Sequence, residues 1–382
     1  MGTTVTRPKL LFFVTEDWYF CSHRLALGKA AVQAGYQVVL VTRVGTHRDL
    51  IESVGIQVIA LEQHRGSLNP LREIQVFLKL WNIYRQEKPD LVHHVAIKPV
   101  VFGGLIARLV GIQYQVNALA GLGWVYASHR ILRRSLGIGI SLILRTVLQS
   151  GFVIVQNSDD QRWVQNLGVP APQVHMVRGS GVDLEMFHPA KKVPNTCLTV
   201  LLVSRMIWTK GIREFVEAAR ILRQRNLAVR FALVGSPDPA NRESLSETQL
   251  QRWQKDGCVE WWGQHEDIAE CYSHADIACL PSYYGEGLPK SLLEATASGL
   301  PVVTTDAPGC REIVKHGQNG FLVPVRDPYA LADALEKLIQ NSILRTKMGR
   351  VSREFAEREF SAERVVTETL GLYKKLLKCS VF

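Results

Sequence analysis

The sequence predicts an α/β protein made of two doubly wound domains, each with a mainly parallel sheet. Short apolar runs, typical of strands buried on both faces, alternate with helical stretches along the chain. The alternation pauses once, near residue 190, and then restarts. The 382 residues also exceed the usual size of one domain.

The first series of strands begins at Lys9 with the apolar run KLLFFVT. A helix is expected from Ser22 to Ala34, and longer helices from Pro70 to about Gln86 and after Pro99. The other strands predicted in this series are YQVVLVT, IQVIAL, DLVHHV, YQVNAL, FVIVQNS and VHMVRG. Together these elements predict a first domain of residues 1–188.

A linker is expected in FHPAKKVPNT, residues 187–196, which combines two prolines and two lysines with little apolar content. The strands LTVLLVS, VRFALVG, CVEWWG, ADIACLPS, PVVTT and GFLV then alternate with helices. They predict a second domain of residues 189–360, and long helices are expected from Pro328 to about Leu377. In such sheets, ligands bind beyond the carboxyl ends of the strands.

The composition points to anionic partners and a reducing compartment. The formal net charge of +10 favours phosphates, nucleic acid or an acidic membrane surface. Seven scattered cysteines suggest neither a zinc site nor a disulfide framework, so a cytoplasmic location fits best. Residues 129–144, HRILRRSLGIGISLIL, predict a basic amphipathic helix lying on the inner face of an anionic membrane, or alternatively a buried core helix.

A glycine-rich turn precedes one helix of the second series, in SYYGEGLPKSLLEATASG. Gly285 and Gly287 flank Glu286, and Pro289 stands where a helix prefers its first residue. Glycines let a ligand approach the backbone closely, and the start of a helix attracts anions. The turn therefore predicts a site for a phosphate group.

Two acids accompany this turn, Glu286 within it and Glu294 inside the helix. A carboxylate only accepts hydrogen bonds, so each can hold two adjacent sugar hydroxyls. The spacing alone is expected roughly once by chance in such a chain, but the strand–Gly–Glu–Gly–Pro–helix context is specific. An anion site between two diol-binding acids suits a sugar joined to a nucleoside diphosphate.

With this motif, the sequence resembles the retaining nucleotide-sugar glycosyltransferases of GT-B architecture, glycosyltransferase family 4. The resemblance covers nearly the whole chain and is strongest from Val200 to Pro324. It implies two Rossmann-like domains facing across a cleft, with the acceptor on the first and the donor on the second. It also implies a C-terminal helix, residues 361–382, that crosses back to the first domain, and chemistry without a metal or cofactor.

The resemblance assigns donor-site roles by position. Glu286 would contact the transferred sugar and Glu294 the ribose, with the backbone N–H groups of Gly287 and Leu288 facing sugar and phosphate. VSRMIWTKGI matches the basic pair of the family with Arg205 and Lys210, which would stabilise the leaving diphosphate. VEWWGQHEDIAECYSHADIACL resembles the segment around the nucleotide base, which places Gly263 and Gln264 near it.

The front domain resembles relatives that extend polyprenyl-diphosphate-linked saccharides in bacterial surface polysaccharide assembly. The residues carrying this likeness are F-x-x-H-R after the first strand, HVAIKPVVFGG and NALAGLGWVY. The predicted acceptor contacts are Asp17, His23, Arg24 and Lys98, with His23 and Arg24 on the acceptor diphosphate. Ala120 stands where the family often has a polar residue, so no general base is assigned.

The sequence thus predicts a retaining hexosyl- or N-acetylhexosaminyltransferase that uses a nucleotide sugar and a lipid-linked saccharide acceptor. Three alternatives stay open: the same chemistry on a soluble small-molecule acceptor, nucleotide-sugar epimerisation, and a non-catalytic nucleotide-sugar sensor. The pattern of Arg205 and Lys210 with the acids Glu286 and Glu294 disfavours the epimerase, while Ala120 lends some support to the sensor. Nucleic acid is not expected as a partner, because the basic residues are dispersed.

Overall fold

The computed structural model describes residues 7–63, 69–122, 134–190 and 197–378, without the side chains of 134–141. The described chain divides into two compact units. The first unit contains residues up to 121, then 134–180 and 363–378, and the second unit contains Leu122 and residues 181–362. Each unit holds one parallel sheet, which confirms the predicted fold class of two Rossmann-like domains.

The first unit is built on seven parallel strands in the order β3-β2-β1-β4-β5-β6-β7. Side chains of β1 alternate between two cores: Leu10 and Phe12 pack on one face of the sheet, and Leu11 and Phe13 on the other. Both faces are therefore covered, as the continuous apolar run predicts. The strands are β1 (Lys9–Glu16), β2 (Gln37–Arg43), β3 (Gln57–Ala60), β4 (Leu91–Val95), β5 (Tyr114–Ala118), β6 (Phe152–Val155) and β7 (Val174–Met176).

Helices cover both faces of this sheet. In chain order, they are α1 (Asp17–His23), α2 (Leu25–Gln33), α3 (Arg48–Ser53), α4 (Pro70–Glu87), α5 (Ile97–Val110), α6 (Arg134–Gln149) and α7 (Ser158–Asn166). The single continuous helix predicted from Ser22 to Ala34 is wrong, because Arg24 leaves the helical conformation, with a φ of −136° and a ψ of −6°, and separates α1 from α2.

The second unit is built on six parallel strands in the order β10-β9-β8-β11-β12-β13. They are β8 (Leu198–Val203), β9 (Val229–Val234), β10 (Glu260–Gly263), β11 (Ile277–Leu280), β12 (Val302–Thr305) and β13 (Gly320–Val323). The helices are α8 (Ile212–Gln224), α9 (Glu247–Lys255), α10 (Ile268–Ser273), α11 (Lys290–Ala297), α12 (Cys310–Ile313), α13 (Pro328–Gln340) and α14 (Ser342–Glu359).

The last helix, α15 (Ala362–Lys378), belongs almost entirely to the first unit. It buries Val365, Leu372 and Tyr373 in the same core as Phe12. The main stretch of the second unit thus begins at residues 180/181 and ends at 362/363, and not at the predicted 188/189 and 360/361.

The earlier start of the second unit has a simple cause. Val182 and Phe187 are buried in the core of the second unit, and Val182 also pairs with Ser361 in an isolated β-bridge. The proline- and lysine-rich composition of the expected linker therefore begins several residues after the actual boundary, and its residues 191–196 lie outside the described residues.

The predicted membrane-facing helix is only partly described, since residues 129–133 lie outside the described residues. In α6, Leu144 is buried while Leu142 and Ile143 are exposed. Across the described ranges, none of the helices combines the length and the apolarity that crossing a bilayer requires.

Candidate functional site

In the second unit, the strand order reverses between β8 and β11, and we call this place the second reversal point. Loops leave both strands here at their carboxyl ends, where open α/β sheets bind ligands. Gly211 brings the loops together, because its φ is +76° and a Cβ at this position would lie 2.0 Å from the carbonyl oxygen of Pro281. Only glycine allows so close an approach in this backbone conformation.

An ion pair joins the two loops at this point. Lys210 ends a short 3₁₀ turn, and its Nζ lies 2.5 Å from Oε1 of Glu286. Both side chains are less than one-fifth exposed, at 14% and 17%. The hydroxyl of Ser282 donates to the same carboxylate oxygen at 3.0 Å. Sequence reasoning assigned no role to Ser282, although a polar residue two positions after a buried strand is a usable signal.

The glycine-rich turn is fixed from behind by a neighbouring loop. Gly309, with a φ of +80°, packs against it so closely that a Cβ would lie 2.3 Å from the carbonyl oxygen of Gly287. The N–H of Glu286 donates to the carbonyl of Pro308 at 3.2 Å. The turn leads into α11 through Pro289, which offers no side-chain cap. The positive end of the dipole of α11 is therefore held beside Gly287 and Leu288.

Glu294 lies on α11 and is almost completely buried, with 7% of its surface exposed. Its Oε1 is 3.5 Å from Nζ of Lys290, one turn earlier on the helix. Burial raises the pKa of the Glu294 carboxyl to about 7, and Lys290 offsets only part of this effect. Near neutral pH, this group therefore exists in both its protonated and ionised forms.

Arg205 is not joined to the Lys210–Glu286 pair by any described contact. Its guanidinium donates to Asp238 at 2.5 Å, in the loop after β9, and its side chain is 44% exposed. The sequence motifs did not predict this partner. Gly263 ends β10 and Gln264 follows it, at the edge of the sheet and two strands away from β8. Gly263 accepts a hydrogen bond from the N–H of Gly235 at 2.7 Å, and Gln264 is exposed.

In the first unit, the strand order reverses between β1 and β4, which we call the first reversal point. A cavity of about 260 Å³ lies there, lined by Thr15, Tyr19, Ala96, Lys98 and Ala120 among others. Ala96 has a φ of 75° and a ψ of 164°, a conformation that is normally confined to glycine. The wall of this cavity therefore includes strained backbone.

Lys98 is the predicted acceptor residue that lines this cavity. Its Nζ lies 2.9 Å from the carboxylate of Glu73, and it also stands over the ring of Phe102 at 5.7 Å. Ala120 lines the same cavity. The position that lacks the polar residue common in the family thus contributes a small apolar surface.

Asp17, another predicted acceptor residue, is buried and bonded to the backbone. It is 2% exposed, and its carboxylate accepts hydrogen bonds from the backbone N–H groups of Trp18, Gly45 and His47 at 2.6 to 3.1 Å. These bonds fasten the start of α1 to the loop after β2. The carboxylate is therefore engaged by the backbone of the protein itself.

His23 and Arg24 line a different, much smaller cavity of about 20 Å³, roughly the room of one water molecule. The ring of His23 stacks on Tyr19 at 4.1 Å. Arg24 is 5% exposed and donates to the carbonyls of His23 and Gly179 at 3.0 and 3.5 Å. The structure thus separates these two predicted acceptor residues from Lys98.

Two histidines of β4, to which sequence reasoning assigned no role, are buried, and His93 lines the smaller cavity. His94 is held between Asn117 at 2.7 Å and the hydroxyl of Tyr84 at 3.0 Å, and burial lowers its pKa to about 4. His93 makes a short hydrogen bond with the hydroxyl of Tyr373 on α15, and burial lowers its pKa well below the ordinary value. The paired histidines in an otherwise apolar run were the available signal.

Two family descriptions match the chain. Residues 9–146 match "Glycosyl transferase 4-like", and residues 197–341 match "Glycosyl transferases group 1". These two ranges fall in the first and the second unit, respectively.

Individual proteins agree with these descriptions. The chain is 26% identical to the N,N'-diacetylbacillosaminyl-diphospho-undecaprenol alpha-1,3-N-acetylgalactosaminyltransferase of Campylobacter jejuni, over 93% of this chain and 95% of that protein. It is 24% identical to an Escherichia coli UDP-Gal:alpha-D-GlcNAc-diphosphoundecaprenol alpha-1,3-galactosyltransferase, with 73% of each covered.

Among solved structures, HepE of Anabaena in complex with UDP and glucose superposes with a TM-score of 0.78 at 18% identity, covering 96% of this chain and all of HepE. This likeness concerns the fold. Taken with the two family matches and the named relatives, it means that the chain belongs to the glycosyltransferases of GT-B architecture.

Proposed function

We propose that this protein transfers a sugar from a nucleoside-diphosphate sugar to a lipid-linked saccharide, with retention of configuration, in polysaccharide assembly. The observation that carries the proposal is the partly buried ion pair of Lys210 and Glu286 beside the turn into α11. It joins a cation, a carboxylate and the start of a helix, which suit the diphosphate and the hydroxyls of such a donor.

The donor-site residues receive distinct roles. Lys210 and the N–H groups of Gly287 and Leu288 bind the diphosphate, Glu286 holds hydroxyls of the transferred sugar, and Glu294 accepts from the ribose diol. Arg205 would leave Asp238 to reach the diphosphate. This exchange is inexpensive, because an ion pair with a 44% exposed arginine contributes only about 0–1 kcal/mol.

Two further proposals for the donor site concern the nucleotide base and the metal. Gly263 and Gln264 would lie near the base, at the edge of the second sheet. We expect no metal requirement, because Lys210, Arg205 and the dipole of α11 supply positive charge to the leaving group. Transfer that persists after chelation with EDTA would support this expectation, and loss of transfer that Mg²⁺ or Mn²⁺ restores would contradict it.

The reaction follows from this arrangement. The bond between the anomeric carbon and the diphosphate oxygen breaks, and its electron pair stays on the diphosphate, which Lys210 stabilises. The acceptor oxygen bonds to the anomeric carbon on the same face of the sugar. Its proton passes to the departing diphosphate, so no side-chain base is needed where Ala120 stands.

For the acceptor, we propose the cavity at the first reversal point, with Lys98 at its wall. The names of the Campylobacter and Escherichia relatives, which both include a sugar on diphospho-undecaprenol, support a lipid-linked saccharide. The net charge of +10 supports peripheral binding to an anionic membrane. Asp17, His23 and Arg24 would then support the first reversal point from behind it.

The test is a transfer assay with a panel of UDP-, GDP- and dTDP-sugars and two acceptors, an undecaprenyl-diphosphate-linked N-acetylhexosamine and the free sugar. We expect transfer to the lipid-linked acceptor, with retained configuration by NMR of the product. Equal transfer to the free sugar would favour the soluble-acceptor alternative. Binding of a nucleotide sugar without turnover on either acceptor would favour the sensor.

A matched pair of variants ties the activity to the site. Glu286→Gln should abolish transfer, since it removes the carboxylate that Lys210 and Ser282 hold. Arg225→Ala breaks a charge cluster with Asp333 and Glu336 in the same unit and should leave transfer unchanged. Equal activity of both variants would exclude the second reversal point as the donor site.

A further inference from the structure

A cavity larger than the one at the first reversal point lies in the second unit, outside the proposed donor site. Its volume is about 690 Å³, within the roughly 300–1,000 Å³ range of small-molecule sites. The cavity is bordered by the outer face of α8, by Trp253 of α9 and by loop residues including Trp208, Tyr283 and Arg326. Its lining does not include Arg205, Lys210, Glu286 or Glu294.

Aromatic rings form part of the cavity wall. Trp208 and Trp253 meet edge to face with ring centres 6.0 Å apart. The guanidinium of Arg326 covers the ring of Tyr283 at 4.4 Å. Arg326 has a φ of 59°, so strained backbone holds this stack in place. Flat aromatic surfaces with polar tips suit a ligand that has both C–H faces and hydroxyls.

The charges in the lining balance. Three arginines, Arg213, Arg220 and Arg326, face three glutamates, Glu214, Glu217 and Glu243. A site for phosphate or for a cation would carry an excess of one sign. Alternating donors and acceptors instead match hydroxyl groups, each of which both donates and accepts.

One polar atom of this lining is unsatisfied. Oε2 of Glu214 is buried and has no hydrogen-bond partner among the described residues. A buried acceptor without a donor is unfavourable. Burial also raises the pKa of the Glu214 carboxyl. A ligand hydroxyl that donates to Oε2 would remove this penalty.

We propose that this cavity binds a neutral saccharide as a second carbohydrate site, separate from the donor site. The proposal goes beyond the transfer function above and can fail while that function stands. Trp208 and Tyr283 lie in the same loops as Lys210 and Glu286. Residues that contact the saccharide would therefore be close in sequence to the donor motifs.

The experiment titrates the full chain with two neutral trisaccharides, maltotriose and triacetylchitotriose, following tryptophan fluorescence and saturation-transfer NMR. The test variants are Glu214→Ala and the charge-neutral double variant Arg213→Ala/Glu217→Ala, which removes an exposed i,i+4 pair. The matched control is Arg350→Ala/Glu354→Ala, another exposed i,i+4 pair of the same unit outside the cavity. Thermal melting checks that every variant is folded.

We expect at least one trisaccharide to bind the wild type and to bind both test variants about tenfold more weakly, as for the loss of one charge-assisted hydrogen bond. Binding should be unchanged in the control and in Glu286→Gln. Absence of binding for both trisaccharides would overturn the proposal. The proposal would also fail if Glu286→Gln abolished trisaccharide binding while the cavity variants retained it. It would fail as well if inorganic pyrophosphate displaced the trisaccharide from the Glu286→Gln protein.

Discussion

The two reversal points occupy equivalent places in two parallel sheets but have different chemistry. The second holds a partly buried lysine–glutamate pair beside a helix start, with Glu294 buried on that helix. The first holds a cavity with strained Ala96 at its wall, and the buried groups beneath it are the neutral histidines of β4. The same architecture therefore supports charge stabilisation in one unit and a shaped, mostly uncharged surface in the other.

The largest effect should come from exchanging lysine for alanine at each reversal point. Lys210→Ala should lower kcat by about 10²–10³-fold, since it removes a fixed cation from the leaving diphosphate. Lys98→Ala should mainly raise KM for the acceptor. Steady-state kinetics with varied donor and acceptor separates the two effects, and equal losses of kcat would erase the proposed division between the units.

The second comparison concerns Glu294. The unfolded chain ionises this carboxyl at its ordinary pKa, whereas the folded chain keeps it protonated up to about pH 7. Stability of the second unit should thus be highest below the ordinary carboxyl pKa and fall as the pH rises toward 7, by about 3 kcal/mol. Glu294→Gln should remove this pH dependence of the free energy of unfolding, measured by denaturant unfolding. An unchanged pH dependence would contradict the effect of burial on the Glu294 carboxyl.

In the first unit, the pH dependence should have the opposite sign. The unfolded chain protonates His94 near its ordinary pKa, while the folded chain resists protonation down to about pH 4. The first unit should keep its full stability above the ordinary histidine pKa and lose about 3 kcal/mol as the pH falls from there toward 4. Amide hydrogen exchange resolved by unit measures this, and parallel pH profiles in the two units would refute it.

The smallest effect is expected at Ala96. Its backbone conformation costs on the order of 1–3 kcal/mol for a residue with a Cβ, and glycine adopts it freely. Ala96→Gly should therefore raise the melting temperature of the protein slightly, because part of the gain is lost to the greater entropy of the unfolded chain. A lower melting temperature would show that the methyl group contributes packing that outweighs the strain.

The sequence allowed much of the fold to be predicted, because buried parallel strands are continuous apolar runs. Each described strand overlaps a predicted run, even the three-residue β7. The break at Arg24 was not predictable, since it depends on a side chain reaching Gly179, which is distant in sequence. The unit boundaries were also missed, because Val182 and Phe187 pack into a core that local composition does not reveal.

For the candidate site, the motifs named Lys210 and Glu286, which the structure pairs, but did not predict their neighbours. Partner choice depends on loops that meet only in three dimensions, as for Asp238 with Arg205 and Ser282 with Glu286. The acceptor residues were grouped by their nearness to strand ends. Asp17 and Arg24 nevertheless point to backbone groups rather than to the cavity of Lys98, because burial of a polar group demands local hydrogen bonds.

The β-bridge between Val182 and Ser361 holds the two ends of residues 181–362, the main stretch of the second unit, side by side. We expect that this stretch can be excised as a cassette and closed with a short splice, or exchanged for that of a relative. The first unit has no such freedom. It is formed by segments from both ends of the chain, so we expect truncation of α15 to expose its core while leaving residues 181–362 folded.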